Sequence, residues 1–187
     1  MSITVRKAQY RDIDAVEASY TELLIHEKEY GAYTVWQMGV YPTRETAEKG
    51  LVDGGLYVAV MDNDICGSMI VDRTQPEEYK AVNWNVSTQP NRVLVIHLLC
   101  IRPSKSGLGI GSTLVRFAVD LAQALRCVSV RLDTGAQNLP ARALYRSLGF
   151  TLAGSSPMKI GGVITHSEHL FLEYNVRSDQ LKKGVAV

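Results

Sequence analysis

The sequence predicts an α/β (α+β) fold, a mixed and mostly antiparallel sheet flanked by helices. A strand–helix–strand–helix order over residues 93–150 implies a crossover unit and one local parallel strand pair. Short apolar runs elsewhere, two of them joined by a tight turn, imply antiparallel hairpins. The 187 residues, 46% of them hydrophobic, suffice to bury one core. One domain is expected over residues 1–175, followed by a polar tail, 176–187.

The elements follow in chain order. Residues 2–9 alternate like a strand. Asp12 can cap a helix that carries Ile13, Val16, Tyr20 and Leu23 at helical spacing, and Gly31 should end it. Pro42 and Thr43 open a shorter helix, which ends before Gly54 and Gly55. Leu56–Met61 and residues 65–71 read as a hairpin around Asp62, Asn63 and Asp64. Residues 73–92 are polar, contain Pro76 and Pro90, and read as a long loop of the kind that carries function. Val93–Ile101 lacks polar alternation, so both faces should be buried. A turn over 102–107 leads into a helix over about 109–126, with Ile110, Leu114, Phe117, Leu121 and Leu125 on one face. Residues 128–133 form the next strand. Pro140 marks a helix start and Gly149 its C′ position, and that helix should bury Ala141, Leu144 and Leu148. Residues 150–152 and 170–174 are the last strands, and the tail from Val176 should fray.

Composition narrows the function. The net charge is +1 with 21% charged residues, which argues against a nucleic-acid or anionic-membrane partner. The longest apolar run, Val93–Ile101, is far too short to cross a bilayer. The N-terminus lacks the apolar segment of a secretory leader. An odd set of cysteines, Cys66, Cys100 and Cys127, suggests reduced thiols and a cytoplasmic protein. His97, Cys100 and Cys127 do not have zinc-ligand spacing, and no metal site is expected.

The segment Ser106-Gly107-Leu108-Gly109-Ile110-Gly111-Ser112 joins a buried strand to a helix. Glycines allow close approach and positive φ. The free N–H groups and positive dipole end of a helix start favour a pyrophosphate. Alone, the segment reads equally well as a tight turn. A phosphate-loop NTPase is rejected because no Lys follows the glycines. A dinucleotide fold would place a third glycine at Ser112, and Arg102 to Ser106 would not intervene after the strand, although Asp133 does end the next strand as a ribose-binding acid would.

The second motif, Asn138-Leu139-Pro140-Ala141-Arg142-Ala143-Leu144-Tyr145 through Gly149-Phe150, follows one strand later. Together with the preceding LLCIRPSKSGLGIGSTLV, it resembles the GNAT superfamily of acyl-CoA-dependent N-acyltransferases. The likeness is sharp from Val93 to Phe150 and architectural elsewhere. It implies a sheet splayed open between its two parallel strands, with the CoA pantetheine arm inserted there. It further implies that backbone groups of Leu99, Cys100 and Ile101 pair with the pantetheine amides. Backbone N–H groups from Ser106 through Ser112 would hold the pyrophosphate, Asn138 would contact the cofactor, and Tyr145 would sit near the thioester sulfur. The family's usual Arg or Gln is replaced here by Ser106, and Lys105 or Arg102 can supply the missing charge.

The resemblance implies acyl transfer, with acetyl-CoA as cosubstrate, to a primary amine of a small molecule or peptide. An alkyl amine has a pKa of about 10.4 and must lose a proton near neutrality. A backbone N–H near Leu99 can stabilise the oxyanion. Tyr145 lies one position off its helix's apolar stripe, so it is expected to face the cleft edge and can protonate the sulfur; the alternative is a packing tyrosine. His97 is either a general base or a core histidine bonded to a neighbour. Cys100 reads as a buried small hydrophobe. His166 and His169 are expected at the surface, and Asp133 is expected to end its strand or to pair with Arg131 or an amine. Trp36, Tyr41, Trp84, His26 and Glu29 are the candidates for the acceptor side. The rival readings are a catalytically inactive CoA sensor and a nicotinamide-dependent oxidoreductase. A homodimer through C-terminal edge strands is compatible with the sequence but not forced by it.

Overall fold

The structure is a computed structural model that describes residues 2–176. The expected tail lies outside the described residues, apart from its first residue, Val176. The elements are β1 (Thr4–Lys7), α1 (Ile13–Tyr30), α2 (Arg44–Val52), β2 (Leu56–Met61), β3 (Asp64–Asp72), β4 (Val93–Ile101), α3 (Ile110–Ala124), β5 (Ser129–Gly135), α4 (Leu139–Ser147), β6 (Thr151–Ile160) and β7 (Ile164–Asn175). The seven strands form one sheet in the order β1-β2-β3-β4-β5-β7-β6. Every neighbouring pair is antiparallel except β4 and β5, which run parallel. The mixed sheet expected from the sequence is present.

Apolar side chains cover both faces of the sheet. Ile13, Val16 and Tyr20 of α1 and Ala47 of α2 pack with Leu56, Val58, Leu98 and Cys100. Ile110, Leu114, Val115 and Ala118 of α3 pack with Met69, Leu94, Ile96 and Leu132 on the other side. The buried stripe of α3 continues through Ala118 and Ala122, whereas Leu125 is exposed. The small residues let the helix approach the sheet closely, so the stripe is rotated from the one that the large residues suggest.

Asp12 precedes α1 but does not cap it with its side chain. Its carboxylate instead takes two bonds from Arg6, at 2.6 and 3.0 Å, and the Gln9 N–H at 2.7 Å. The β2–β3 hairpin turns through Asp62 and Asn63, both at positive φ, as a tight two-residue turn requires.

The register of β4 places the site. Residues 99–101 of β4 pair with 67–69 of β3, but Ile96 already pairs with Val71. Three steps on β4 therefore match two on β3, which is a bulge at His97 and Leu98. Across the bulge the buried side chains change face: Ile96 packs with α3, and Leu98 with α1. Pairing with β5 also stops there, at Ile96 with Leu132. Beyond that point the two parallel strands separate.

Residues 73–92 are strapped down. Glu173, buried in β7, accepts Ser129 Oγ at 2.6 Å, Arg131 Nε at 2.9 Å and the Val86 N–H at 2.8 Å. Arg131 also donates to Gln75 and to the Val86 carbonyl, and its guanidinium lies 4.2 Å from the Trp84 ring centroid. A buried pair costs desolvation, and here additional hydrogen bonds satisfy both ions.

Candidate active site

The gap between β4 and β5 opens into a cavity of about 610 Å³. Its walls come from α1, the 31–41 segment, the second half of β4, the start of α3, the end of β5, α4 and the last hairpin.

One end is built from backbone. The Arg102 N–H donates to the Cys66 carbonyl. Strand alternation then turns the backbone groups of Cys100 toward β3 and those of Leu99 and Ile101 toward the open edge. Cys100, expected to pair with a ligand beside them, faces the wrong strand. Its thiol donates to the Ser19 carbonyl, and burial pushes that thiol well above its ordinary pKa. It is packed as a small hydrophobe.

Gly107 and Gly109 adopt φ of 77° and 79°, a region that L side chains avoid. Gly109 is the N-cap of α3. The first helical N–H to find its acceptor is that of Thr113, on the Gly109 carbonyl. The N–H groups of Ile110, Gly111 and Ser112 come before it, at the positive end of the helix. Lys105, Ser106, Gly107, Gly109, Ile110, Gly111 and Ser112 all line the cavity. Leu108, from the same segment, points outward and is half exposed.

The cation beside this loop is Lys105, which lines the cavity and lies 3.7 Å from Asp64, its ion-pair partner among the described residues. Arg102 is engaged elsewhere: its Nε donates to Glu22 at 2.7 Å, and Glu22 also takes the Ser104 N–H. Asn138 lines the cavity and caps α4 by accepting the Ala141 N–H at 3.2 Å. Its amide N–H groups are what it has left to offer.

Tyr145 departs from expectation. It is the buried residue of α4, 5% exposed, and packs on Phe150 at 5.8 Å between ring centroids. Ala141, Leu144 and Leu148 are only half-buried, because Ala141 and Leu144 face the cavity. The Tyr145 ring reaches the cavity from the core side. Burial first, and then the charge of Asp133, push its phenol well above the ordinary range, so it stays protonated.

The other end is built from side chains. His97 Nε2 lies 2.9 Å from Asp72 Oδ1. A carboxylate only accepts, so Nε2 carries the proton and Nδ1 is the ring's acceptor. Burial raises the Asp72 carboxyl, but the bonds from His97 and Thr74 outweigh it and leave the group below its ordinary value. His97 is thus bonded to a neighbour and also lines the cavity.

His169 and Asp133 are further corrections. His169 is 4% exposed, and its Nδ1 lies 3.0 Å from Asp133 Oδ2. The other Asp133 oxygen accepts the Tyr79 hydroxyl at 2.9 Å. Arg131, one of the partners expected for Asp133, goes to Glu173. His169 was hidden because residues 161–169 are largely polar and read as loop, whereas β7 extends through them.

Among the acceptor candidates, His26, Trp36 and Tyr41 line the cavity. Glu29 is exposed and Trp84 stacks on Arg131, so neither contributes a wall. The acidic residue of α1 that does line the cavity is Glu27, whose carboxylate holds the Tyr33 and Thr34 N–H groups and the Thr34 hydroxyl. Among the described residues there is no cluster suited to a metal ion, and no helix is long and apolar enough to cross a membrane.

Comparison with known proteins adds the following. The family described as the acetyltransferase (GNAT) family matches residues 19–150. Streptothricin acetyltransferase of Escherichia coli is 28% identical over 102 residues, 54% of this chain and 50% of that protein. Streptothricin acetyltransferase of Streptomyces lavendulae is 31% identical over 124 residues, 66% of this chain and 58% of that protein. The chain thus spans little more than half the length of these curated relatives. The fold matches a solved GNAT-family acetyltransferase of Streptococcus agalactiae with a TM-score of 0.77 at 19% identity, over 92% of this chain and 95% of that one.

Proposed function

Since the chain belongs to the acetyltransferase (GNAT) family, we propose that it transfers an acetyl group from acetyl-CoA to a primary amine of a small molecule or peptide. Transfer is direct, without an acyl-enzyme. The observation that carries this reading is one cavity that joins an unpaired strand edge to a glycine-shaped helix start. The donor fits that end. The backbone groups of Leu99 and Ile101 would hold the pantetheine amides, as an added strand would. The N–H groups at the start of α3, with Lys105, would hold the pyrophosphate. Asn138 would add a side-chain contact. When bound, the thioester supplies an activated acyl carbon and a good leaving group.

Charge is divided between the two ends. Lys105 stands at the donor end, while Asp133 lines the acceptor end with Trp36 and Tyr41. A carboxylate and aromatic faces suit an ammonium group. The streptothricin acetyltransferase relatives make streptothricin the first acceptor to try. Tyr145 hydrogen-bonds the departing sulfur and gives it a proton. Burial raises the phenol, but it raises the basicity of a thiolate in the same surroundings too, so the two remain matched. His97, which the sequence reads as either a general base or a histidine bonded to a neighbour, is held by Asp72, which fits the second reading. We place the enzyme in the cytoplasm, in keeping with three free cysteines.

The test is release of CoA thiol from acetyl-CoA with streptothricin, alkyl amines, polyamines and a lysine peptide. Amine-dependent release supports the transferase. Tight acetyl-CoA binding with no release across the panel supports a sensor instead, and a melting shift with NAD but not acetyl-CoA would point to a redox enzyme.

A further inference from the structure

We propose that His169 is the general base that deprotonates the acceptor amine, with Asp133 and Tyr79 as positioning residues and His166 as the proton's exit to solvent. The proposal rests on the acetyltransferase reading and assigns the acceptor end of that same cavity.

The tautomer follows from the bonds. Asp133 accepts from Tyr79 on one oxygen and faces His169 Nδ1 with the other. Nδ1 therefore carries the proton, and Nε2 presents a lone pair. That Nε2 is buried and has no hydrogen-bond partner among the described residues. An unsatisfied buried polar atom is costly, and a purely structural histidine would bond at both nitrogens. His169 lines the cavity, so a substrate N–H can supply the missing donor. The residue opposite it on β5 is Gly135, whose missing side chain leaves room that the Gln137 side chain occupies.

The backbone also places the relay. Ser156 pairs with His169, and Met158 with His166. Two steps on β6 match three on β7, a bulge beside Pro157, which has no N–H to pair. The bulge brings His166 and His169 onto one face, with ring centroids 4.9 Å apart. His166 is half-buried, and its Nδ1 also lacks a partner among the described residues. Burial and the neighbouring imidazole lower its pKa, so it is neutral and ready to accept near pH 7. The groups around the pair are Asp133 from β5, Tyr79 from the 77–81 turn, Tyr145 from α4, Tyr41 and Glu168. Burial first, and then the charge of Asp133, raise all three phenols; the Asp133 carboxylate, 3.0 Å from His169 Nδ1, is placed to stabilise an imidazolium. His97 differs: its Asp72 partner does not line the cavity, and among the described residues no second histidine is stacked on its ring.

The protons balance. The ammonium gives one proton to His169 Nε2, which passes it through His166 to solvent. The freed amine bonds to the acetyl carbon and the carbon–sulfur bond breaks. Tyr145 gives its proton to the sulfur and regains one from the new amide nitrogen.

His169→Asn is the test, because the Asn amide can still donate to Asp133 without a basic nitrogen. The acceptor is the panel amine that wild type acetylates fastest. We expect kcat to fall about 10²–10³-fold, the range of lost general-base catalysis, with acetyl-CoA affinity unchanged. The acidic limb of the kcat profile should disappear, while His97→Ala retains it. His166→Ala is the second variant: its kcat should fall about tenfold and recover with added imidazole, as for a lost proton carrier. Activity of His169→Asn within about threefold of wild type, with the acidic limb intact, overturns the base assignment alone. A wild type that binds acetyl-CoA and acetylates no amine removes the transferase reading, and this assignment with it.

Discussion

Leu99, Ile101, Ser106, Gly107 and residues 109–112 make one wall of the cleft, which offers mainly backbone groups. His26, Trp36, Tyr41, His97, Asp133 and His169 line the other, which offers side chains. The first wall is a single stretch of chain. The second is gathered from α1, the 31–41 segment, β4, β5 and β7. A backbone wall needs only a strand that loses its partner and glycines that permit positive φ. A side-chain wall needs each of its supports to be in place, so it should be the more fragile of the two and the one that sets the acceptor.

The largest expected effect breaks the second wall at its foundation. Glu173→Ala leaves Arg131 buried without its partner, which costs about 3–5 kcal/mol. For a chain of this size that lowers Tm by roughly 10 °C, and the 73–92 strap should become protease-sensitive before residues 106–112 do. Equal sensitivity of both segments would mean that the walls are not independent. Tyr145→Phe sits where the walls meet. We expect kcat to fall about 10²-fold with KM for acetyl-CoA nearly unchanged; an unchanged kcat would remove the acid role. Lys105→Ala touches only the first wall. KM for acetyl-CoA should rise by roughly tenfold at most, less at high salt, and KM for the amine should stay constant.

The smallest effect lies outside the cleft. The Arg6 hydrogen bond, against the cost of burial, holds the Asp12 carboxyl below its ordinary value. A depressed carboxylate contributes stability above the unfolded-state pKa of about 3.9, lost as pH falls through the lower folded value. Arg6→Met should remove that contribution near neutrality, so the variant and wild type should converge in stability below about pH 3. Both should keep the same acetyl-CoA affinity.

The same division explains what was legible in the sequence. β4, the glycine segment, Asn138 and Gly149 follow local rules of strands, caps and turns, and residues 93–150 could be read from them. Tyr145 could not be placed, because the apolar neighbours on α4 line a cavity rather than the core. Leu125 misled because Ala118 and Ala122 mark the closest approach of α3. His169 and His166 share a face only through a bulge, and strict alternation gives no sign of it. One signal was available and unused: Arg131 and Glu173 each interrupt an apolar strand, and opposite charges at such positions pair across neighbouring strands. They do so here in register.

The most direct measurement is a calorimetric titration of acetyl-CoA into wild type and Gly109→Ala. An alanine held at φ 79° costs about 1–2 kcal/mol, or relaxes and withdraws the helix-start N–H groups. Acetyl-CoA should bind wild type and bind Gly109→Ala roughly tenfold more weakly, with amine KM unchanged. Equal affinity for both proteins, or no binding to wild type, would contradict the backbone cradle.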